Sequence, residues 1–383
     1  MVKRDLNMKR ILYIGGFELP DKNAAAQRVL SNGKALRDLG HEIIFVGLTK
    51  SVPRRFNFEG FDCHEIIYPQ SKRAWVSFLF SIRKESELIN QFNPDVLIFY
   101  NYPSFKLGRL KSRFKGKIVF GDITEWYEAP GVSLVSIIKR IDVWFRMKII
   151  LPQIDGLIVI SDYLENFYKG KVKKLINIPP LVDVYEDKWK KNSNPLNDRY
   201  NLVYAGSPGA GNKDRLDLVI SSINKARLDL KKDIHINIIG LSKQQFLENF
   251  GTTLNDNIDD TYIHFNGRVS HSKALEFIKE ADFSIFFRDS NLTNTAGFPT
   301  KFVESISCGT PVITNASSNL HTYFEKYPMI GYVFKSLTDE ELILGIKLAL
   351  SSSKEDILLK KEFCLNSRLF DYRKYTDKFY ELF

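Results

Sequence analysis

Two successive series of short Ile- and Val-rich apolar runs, each run followed by a longer amphipathic stretch, constrain this chain more than any other feature. Such alternation is the pattern of a parallel sheet flanked by helices. In the first half the predicted strands are Arg10–Gly15, Glu42–Leu48, Asp95–Tyr100, Lys117–Gly121, Gly156–Ile160 and Lys174–Ile178. In the second they are Leu202–Ala205, His235–Ile239, Tyr262–Asn266, Phe283–Phe287, Pro311–Thr314 and Gly331–Phe334. Predicted helices include Ala25–Leu39, Asp214–Leu228, Ser272–Glu280 and Lys301–Ser307, with Gly40 and Gly309 placed as C-terminal stops. The expected class is α/β, with two Rossmann-like doubly wound domains. A length of 383 residues suits two such domains better than one.

A polar, asparagine-rich stretch at 182–199 separates the two series and is the predicted linker. It divides an N-terminal domain at 1–181 from a C-terminal domain at 200–366, followed by a final segment at 367–383. Ligands of open α/β sheets bind at the carboxyl ends of the strands. Two facing domains would therefore form an interdomain cleft with a ligand on each wall, and the functional residues belong in post-strand loops.

The formal net charge of +10 is unevenly placed: residues 1–180 carry 29 Lys and Arg against 18 Asp and Glu, and the remainder 26 against 27. The densest basic stretch, Lys106 to Lys117, has six bases and no acid, and a mixed basic and apolar segment follows at 133–151. An anionic partner is expected on this half, and phospholipid head groups, a lipid diphosphate or nucleic acid would each satisfy the charge. A solvated basic face would carry the same residues. No reader motif for nucleic acid is present, so none is expected as a partner. The apolar segment 133–161 is broken by Lys139, Arg140, Asp142, Arg146 and Lys148, which excludes a membrane span there. The basic and apolar start reads as a strand rather than a signal peptide. Three scattered cysteines, Cys63, Cys308 and Cys364, match neither a disulfide framework nor a metal site and fit a reducing cytoplasm.

Three post-strand loops could carry chemistry. Gly15-Gly16-Phe17-Glu18-Leu19-Pro20 allows backbone amides to approach a phosphate or sugar, although the dinucleotide fingerprint is absent. The loop from Gly206 and Ser207 to Lys213 and Arg215 combines three glycines with cations at a helix start, a setting that favours a diphosphate. It lacks the spacing of a P-loop. The third runs from Arg288 through Gly297, Phe298, Pro299 and Thr300 to Lys301 and Glu304. Pro299 suits an early helix position; Lys301 and the helix-start amides could meet phosphate while Glu304 accepts hydrogen bonds from ribose hydroxyls. A surface ion pair between Lys301 and Glu304 is the plainer alternative.

Taken in order, these segments resemble the family-4 type retaining glycosyltransferases of the GT-B fold, particularly the bacterial cell-surface polysaccharide branch. The resemblance spans nearly the whole chain and rests on Gly15 to Pro20, Ala25-Ala26-Gln27-Arg28, Ala35 to Glu42, Gly156 to Ser161, Tyr204 to Pro208 with Lys213, Phe265 to Val269, and Gly297 to Ile313. It implies an acceptor-binding N-terminal domain, a donor-binding C-terminal domain and a C-terminal helix at 367–383 packed back on the first. By position it places Gly206, Ser207, Lys213 and Arg215 near the donor diphosphate, and Gly240 and Val269 near the base. Gly297, Phe298, Thr300 and Lys301 would contact the phosphates and Glu304 the ribose. Arg268 and Arg288 would support them. Lys213, Lys301 and Glu304 are the expected catalytic group. In the first domain Gly16 would approach the donor phosphate or the acceptor, and Asp122, Glu125 and Trp126 would shape the acceptor side.

Two positions depart from the family pattern. Ala296 stands where many relatives place a sugar-contacting Glu, eight residues before Glu304, and Ser207 stands where many place Arg. The implied donor is a UDP- or GDP-linked sugar and the implied acceptor a lipid-linked saccharide. The location would be cytoplasmic, with peripheral attachment to the anionic inner face of the plasma membrane through 103–117 and 133–151, including Lys106, Arg109, Lys111 and Arg113. No cofactor and no metal is expected, since no aspartate pair or His/Cys cluster has ligand spacing. The six histidines are isolated in sequence and read as structural or surface residues. A nucleotide-sugar 2-epimerase of the same fold and a non-catalytic nucleotide-sugar-binding assembly protein are the competing classes.

Overall fold

The computed structural model describes residues 7–20, 23–128, 131–190, 199–208 and 213–383. Contacts divide the chain into two units. Unit 1 comprises Met1–Val182, Ala296–Phe298 and Asp371–Phe383, and unit 2 comprises Asp183–Thr295 and Pro299–Phe370. Residues 191–198 of the expected linker, and 209–212 of the second loop, lie outside the described residues. The first unit runs one residue past the expected 181, and the terminal segment assigned to it starts at Asp371 rather than 367.

Among the described residues, unit 1 has an eight-stranded sheet of order β3-β4-β2-β1-β5-β6-β7-β8. The strands are β1 (Arg10–Gly15), β2 (Glu42–Thr49), β3 (Arg55–Phe58), β4 (Phe61–Ile67), β5 (Val96–Tyr100), β6 (Ile118–Ile123), β7 (Gly156–Val159) and β8 (Lys174–Asn177). Helices α1 (Ala24–Asp38), α2 (Lys72–Phe80), α3 (Arg83–Phe92), α4 (Ser104–Arg113), α5 (Leu134–Phe145) and α6 (Asp162–Tyr168) intervene. All neighbouring strands are parallel except β3 and β4. The six predicted strands are present with small shifts at their ends, because strands buried on both faces read as nearly continuous apolar runs. The hairpin β3–β4 was not predicted. Its strands carry Arg55, Asp62, His64 and Glu65, and β3 alternates between exposed and half-buried positions at the sheet edge, so no apolar run announces it. Positive φ at Glu59 and Gly60 makes the turn between them.

Tyr13, Phe17, Phe45 and Phe61 form an aromatic cluster beneath α1. Gly33 lets that helix settle on Phe45, since a Cβ there would come within 2.4 Å of the ring. Tyr372, Phe379 and Leu382 complete the same core, and the Tyr372 amide donates to the Val182 carbonyl at 3.0 Å.

Unit 2 has a six-stranded parallel sheet of order β11-β10-β9-β12-β13-β14 among the described residues. Its strands are β9 (Tyr200–Ala205), β10 (Ile234–Ile239), β11 (Ile263–Phe265), β12 (Phe283–Phe286), β13 (Val312–Asn315) and β14 (Gly331–Phe334). The site is framed by α7 (Leu216–Leu230), α8 (Lys243–Phe250), α9 (His271–Glu280), α10 (Leu292–Ala296) and α11 (Thr300–Ser307). The strand order reverses between β9 and β12, and a crevice outside their carboxyl ends is where ligands of such sheets bind. The corresponding reversal in unit 1 lies between β1 and β5, next to Gly16. Among the described residues no helix is long and apolar enough to cross a membrane.

Candidate functional site

The loops after β9, β10 and β12 meet at the switch point of unit 2. Gly206, at φ +125°, follows β9, and Gly240, at φ +111°, follows β10. A Cβ on Gly240 would stand 2.5 Å from the Gly206 carbonyl oxygen, so the two turns pack backbone on backbone. Gly206 and Ser207 are exposed. Beneath them lies the ammonium of Lys301, 3.5 Å from where a Gly206 Cβ would sit. Lys301 is the second residue of α11, whose start at Pro299 has no side-chain cap. The Phe302 amide donates to the Pro299 carbonyl at 3.1 Å, and no side chain caps this helix start, a setting that suits an anion.

Lys301 is not the free cation the sequence suggests. It is buried, donates to Asp214 Oδ2 and, at 3.2 Å, to the Tyr204 hydroxyl, and stands 4.2 Å from the Tyr204 ring centroid. Tyr204 donates to the same carboxylate oxygen at 2.8 Å, and Arg288 Nε donates to Asp214 Oδ1 at 2.7 Å. Burial raises the Asp214 pKa, but the attraction of Lys301 and Arg288 outweighs it and holds the carboxyl down at about 2. Burial lowers the Lys301 pKa while Asp214 opposes the shift. Burial and the adjacent Asp214 push the Tyr204 hydroxyl well above its ordinary value. The cluster carries two cations and one anion, and its excess positive charge lies under the exposed glycine turn.

Arg215, expected beside the diphosphate, is instead held by carboxylates. It donates to Asp217 at 2.7 Å and to Asp289 at 3.1 Å, and its pKa is raised, chiefly by the hydrogen bond to Asp217. Its charge is spent locally. Lys213 is half-buried, and its carbonyl accepts from Asn294 Nδ2 at 3.3 Å. Glu304, one turn after Lys301 on α11, is partly exposed, with Oε1 3.2 Å from Nε2 of His271 at the start of α9. His271 is isolated in sequence, and folding brings it to this partner 33 residues away. Arg268 is exposed and Val269 half-buried in the loop after β11. Gly297 and Phe298 belong to unit 1 by contact, whereas Thr300 belongs to unit 2.

In unit 1, Gly16 is exposed after β1, with open space where a Cβ would be. Asp122, expected on the acceptor side, is fully buried. Arg28 donates to it from Nε at 2.9 Å and Nη2 at 2.7 Å, and Tyr13 donates to its second oxygen. Arg28 also donates to the Ile178 carbonyl at 2.8 Å, so this carboxylate ties β1, α1 and the end of β8 together. Trp126 packs edge-on against Phe167 with centroids 4.9 Å apart, and Lys148 stands 5.3 Å from its ring. Glu125 lies next to it in the half-buried loop after β6.

The expected membrane residues divide in the same way. Lys106 is buried and paired with Glu85, which removes it from any surface role. Arg109 and Arg113 are exposed, and Lys111 Nζ donates to the Gln153 carbonyl.

Residues 186–362 match the family described as "Glycosyl transferases group 1", so the chain carries a glycosyltransferase domain and is a glycosyl-transfer enzyme. No curated protein matches the sequence. Among solved structures, sucrose-phosphate synthase from Thermosynechococcus elongatus is similar at a TM-score of 0.72 and 13% identity, over 98% of each chain. The catalytic domain of starch synthase IV from Arabidopsis thaliana bound to ADP and acarbose is similar at 0.69 and 13%, over 98% of this chain and 99% of that one. A structure described as "Trehalose-6-phosphate from E. coli bound with UDP-2-fluoro glucose" is similar at 0.69 and 9%, over 97% and 98%. At these identities the similarity establishes the fold, two Rossmann-like α/β domains of the GT-B type.

Proposed function

We propose that this chain, whose residues 186–362 carry a group 1 glycosyltransferase domain, takes a UDP- or GDP-linked sugar in unit 2 and transfers the glycosyl group, with retention, to a lipid-linked glycan held by unit 1. The observation that carries the donor half is the uncapped start of α11, with Lys301 anchored under Gly206 and Glu304 one turn further on. In this reading the α11 amides, Lys301 and Lys213 stabilise charge developing on the leaving diphosphate, and Glu304 accepts the ribose hydroxyls. The bond from the anomeric carbon to the diphosphate oxygen breaks, and the nucleoside diphosphate leaves with the electron pair. The acceptor oxygen bonds on the same face and its proton passes to the departing phosphate. No metal is required by this scheme. Ala296 is fully buried, its carbonyl accepting from Ser161 Oγ at 2.7 Å, and it offers no carboxylate to the donor sugar.

An exposed apolar stripe supports a membrane location. Ile137, Ile138, Ile141, Trp144 and Phe145 of α5 are each more than a third exposed and share one helical face. A cavity of about 670 Å³ begins at Phe145 and is lined by Arg109, Lys111, Lys115 and Lys117 against one acid, Asp155. Aromatic and basic residues together suit an anionic bilayer surface. We place the protein at the inner face of the plasma membrane, in cell-surface polysaccharide synthesis.

The test is nucleoside diphosphate release from a panel of UDP and GDP sugars with membrane-extracted lipid-linked glycan as acceptor, the anomeric configuration of the product being read by NMR. Turnover that requires acceptor supports the reading, whereas isomerised nucleotide sugar without acceptor contradicts it. Trp144→Asp is expected to weaken co-sedimentation with anionic vesicles by about tenfold or more, from the loss of one buried aromatic.

A further inference from the structure

The cavity that begins at Phe145 holds more than a charged surface would. Its basic end, Lys115 to Ile118 with Asp155, stands where β6 and β7 begin. Those strands run parallel to β5 and, through it, to β1. This end therefore lies at the amino edge of the sheet, opposite the carboxyl edge that carries Gly16 and at which such sheets bind their substrates. A ligand held there is an anchor rather than a reactant.

The lining keeps its positive charge. Arg109 Nη1 donates to the Phe80 carbonyl at 2.9 Å, Lys117 to Asn93 Oδ1 at 2.7 Å and Lys111 to the Gln153 carbonyl, all of them neutral acceptors. Each lysine has N–H groups to spare. Lys115 is exposed. The one acid in the wall is already engaged: Asp155 Oδ2 accepts from the Val119 amide at 2.9 Å, and Oδ1 stands 3.6 Å from Lys173 Nζ. Gly116 has open space where a Cβ would stand, so an anion can approach the backbone as well.

The rim is apolar. Phe105, Ile118 and Phe145 line the cavity and are each more than a third exposed, and Phe80 packs edge-on against Phe105 with centroids 5.1 Å apart. Through Phe145 the rim continues into Ile137, Ile138 and Ile141 of α5, an aliphatic surface that suits acyl chains. A head group with one phosphate would leave most of the lining cations uncompensated, whereas one with two phosphates meets more of them. We propose that this cavity is a head-group site for a membrane phospholipid carrying two phosphates. Arg109, Lys111, Lys115 and Lys117 take the phosphates, and the acyl chains leave over Phe105 and Phe145. This site rests on the bilayer reading of α5 and adds to it a choice of lipid.

The full-length protein is sedimented with phosphatidylcholine vesicles of matched total charge that carry either phosphatidylglycerol, with one phosphate, or cardiolipin, with two. The wild type should bind cardiolipin vesicles about fivefold or more tighter, as roughly one additional lysine contact would give. Ser112→Glu, which puts an acid into the wall from an exposed position on α4, and Lys115→Ala should each lose that preference. Trp144→Asp should weaken binding to both vesicles and keep it. Equal binding of the wild type to the two vesicles, or a preference that survives in both cavity variants, overturns the head-group site and leaves the bilayer reading standing. Binding to neither vesicle overturns both. Inorganic pyrophosphate is titrated in parallel by calorimetry: binding to the wild type and not to Ser112→Glu, without a cardiolipin preference, would assign the cavity to a free diphosphate and overturn the lipid.

Discussion

Each unit buries a carboxylate at the carboxyl edge of its sheet, and their surroundings assign them different roles. Asp122 in unit 1 is saturated by Arg28, Tyr13 and Asn32, all of them buried. Asp214 in unit 2 holds Arg288 and Lys301, and Lys301 reaches up to the exposed turn at Gly206. Both are buried ion pairs, but only the second anchors a cation beneath an open surface. Burial of a charge at the carboxyl edge of a sheet is thus no sign of ligand binding until its far side is known.

The largest effect separates these roles. Asp122→Ala and Asp214→Ala should each cost about 3–5 kcal/mol of stability in urea unfolding, because a buried cation loses its partner. Calorimetry on the folded variants should show nucleoside diphosphate affinity unchanged by Asp122→Ala and about tenfold or more weaker in Asp214→Ala. Equal effects on affinity would erase the distinction.

A pH series sharpens it. The folded pKa of Asp214, about 2, lies below its ordinary value of 3.8. The folded form therefore resists protonation, and the resulting stability is present above about pH 4 and lost as pH falls through 2. The contribution is roughly 2 kcal/mol. Urea unfolding between pH 7 and pH 2 should show this loss in the wild type and not in Asp214→Asn.

The smallest effect concerns Arg215. Because Asp217 and Asp289 already neutralise it and it is a third exposed, Arg215→Ala should change stability by less than about 1 kcal/mol. Nucleotide affinity should change by less than about fivefold by the same reasoning. A loss comparable to that of Asp214→Ala would restore Arg215 to the diphosphate site.

How far these features could be read in advance follows from where their causes lie. Strands such as Ile11–Ile14 are legible because burial on both faces demands an unbroken apolar run, whereas the edge hairpin β3–β4 has only one partly covered face. Lys301 and Glu304 were legible as a pair at a helix start. The anchor of Lys301 was not, since Asp214 lies 87 residues away in sequence and reads there as one acid between two cations. Lys106 is hidden for the same reason: in a basic run it looks solvated, and Glu85, 21 residues earlier, explains its burial. Local pattern reports which element a residue occupies; which opposite charge meets it is decided by the packing of distant elements.

The central claim is that unit 2 binds the diphosphate of a nucleotide through Lys301 and α11, and its ribose through Glu304. Isothermal titration of the full-length protein with UDP and GDP, alongside Lys301→Met and Glu304→Gln, tests it most directly. One nucleotide should bind the wild type and bind about tenfold or more weaker in each variant, in line with the loss of a charge-assisted hydrogen bond. Failure of both nucleotides to bind, or wild-type affinity in both variants, would contradict the account.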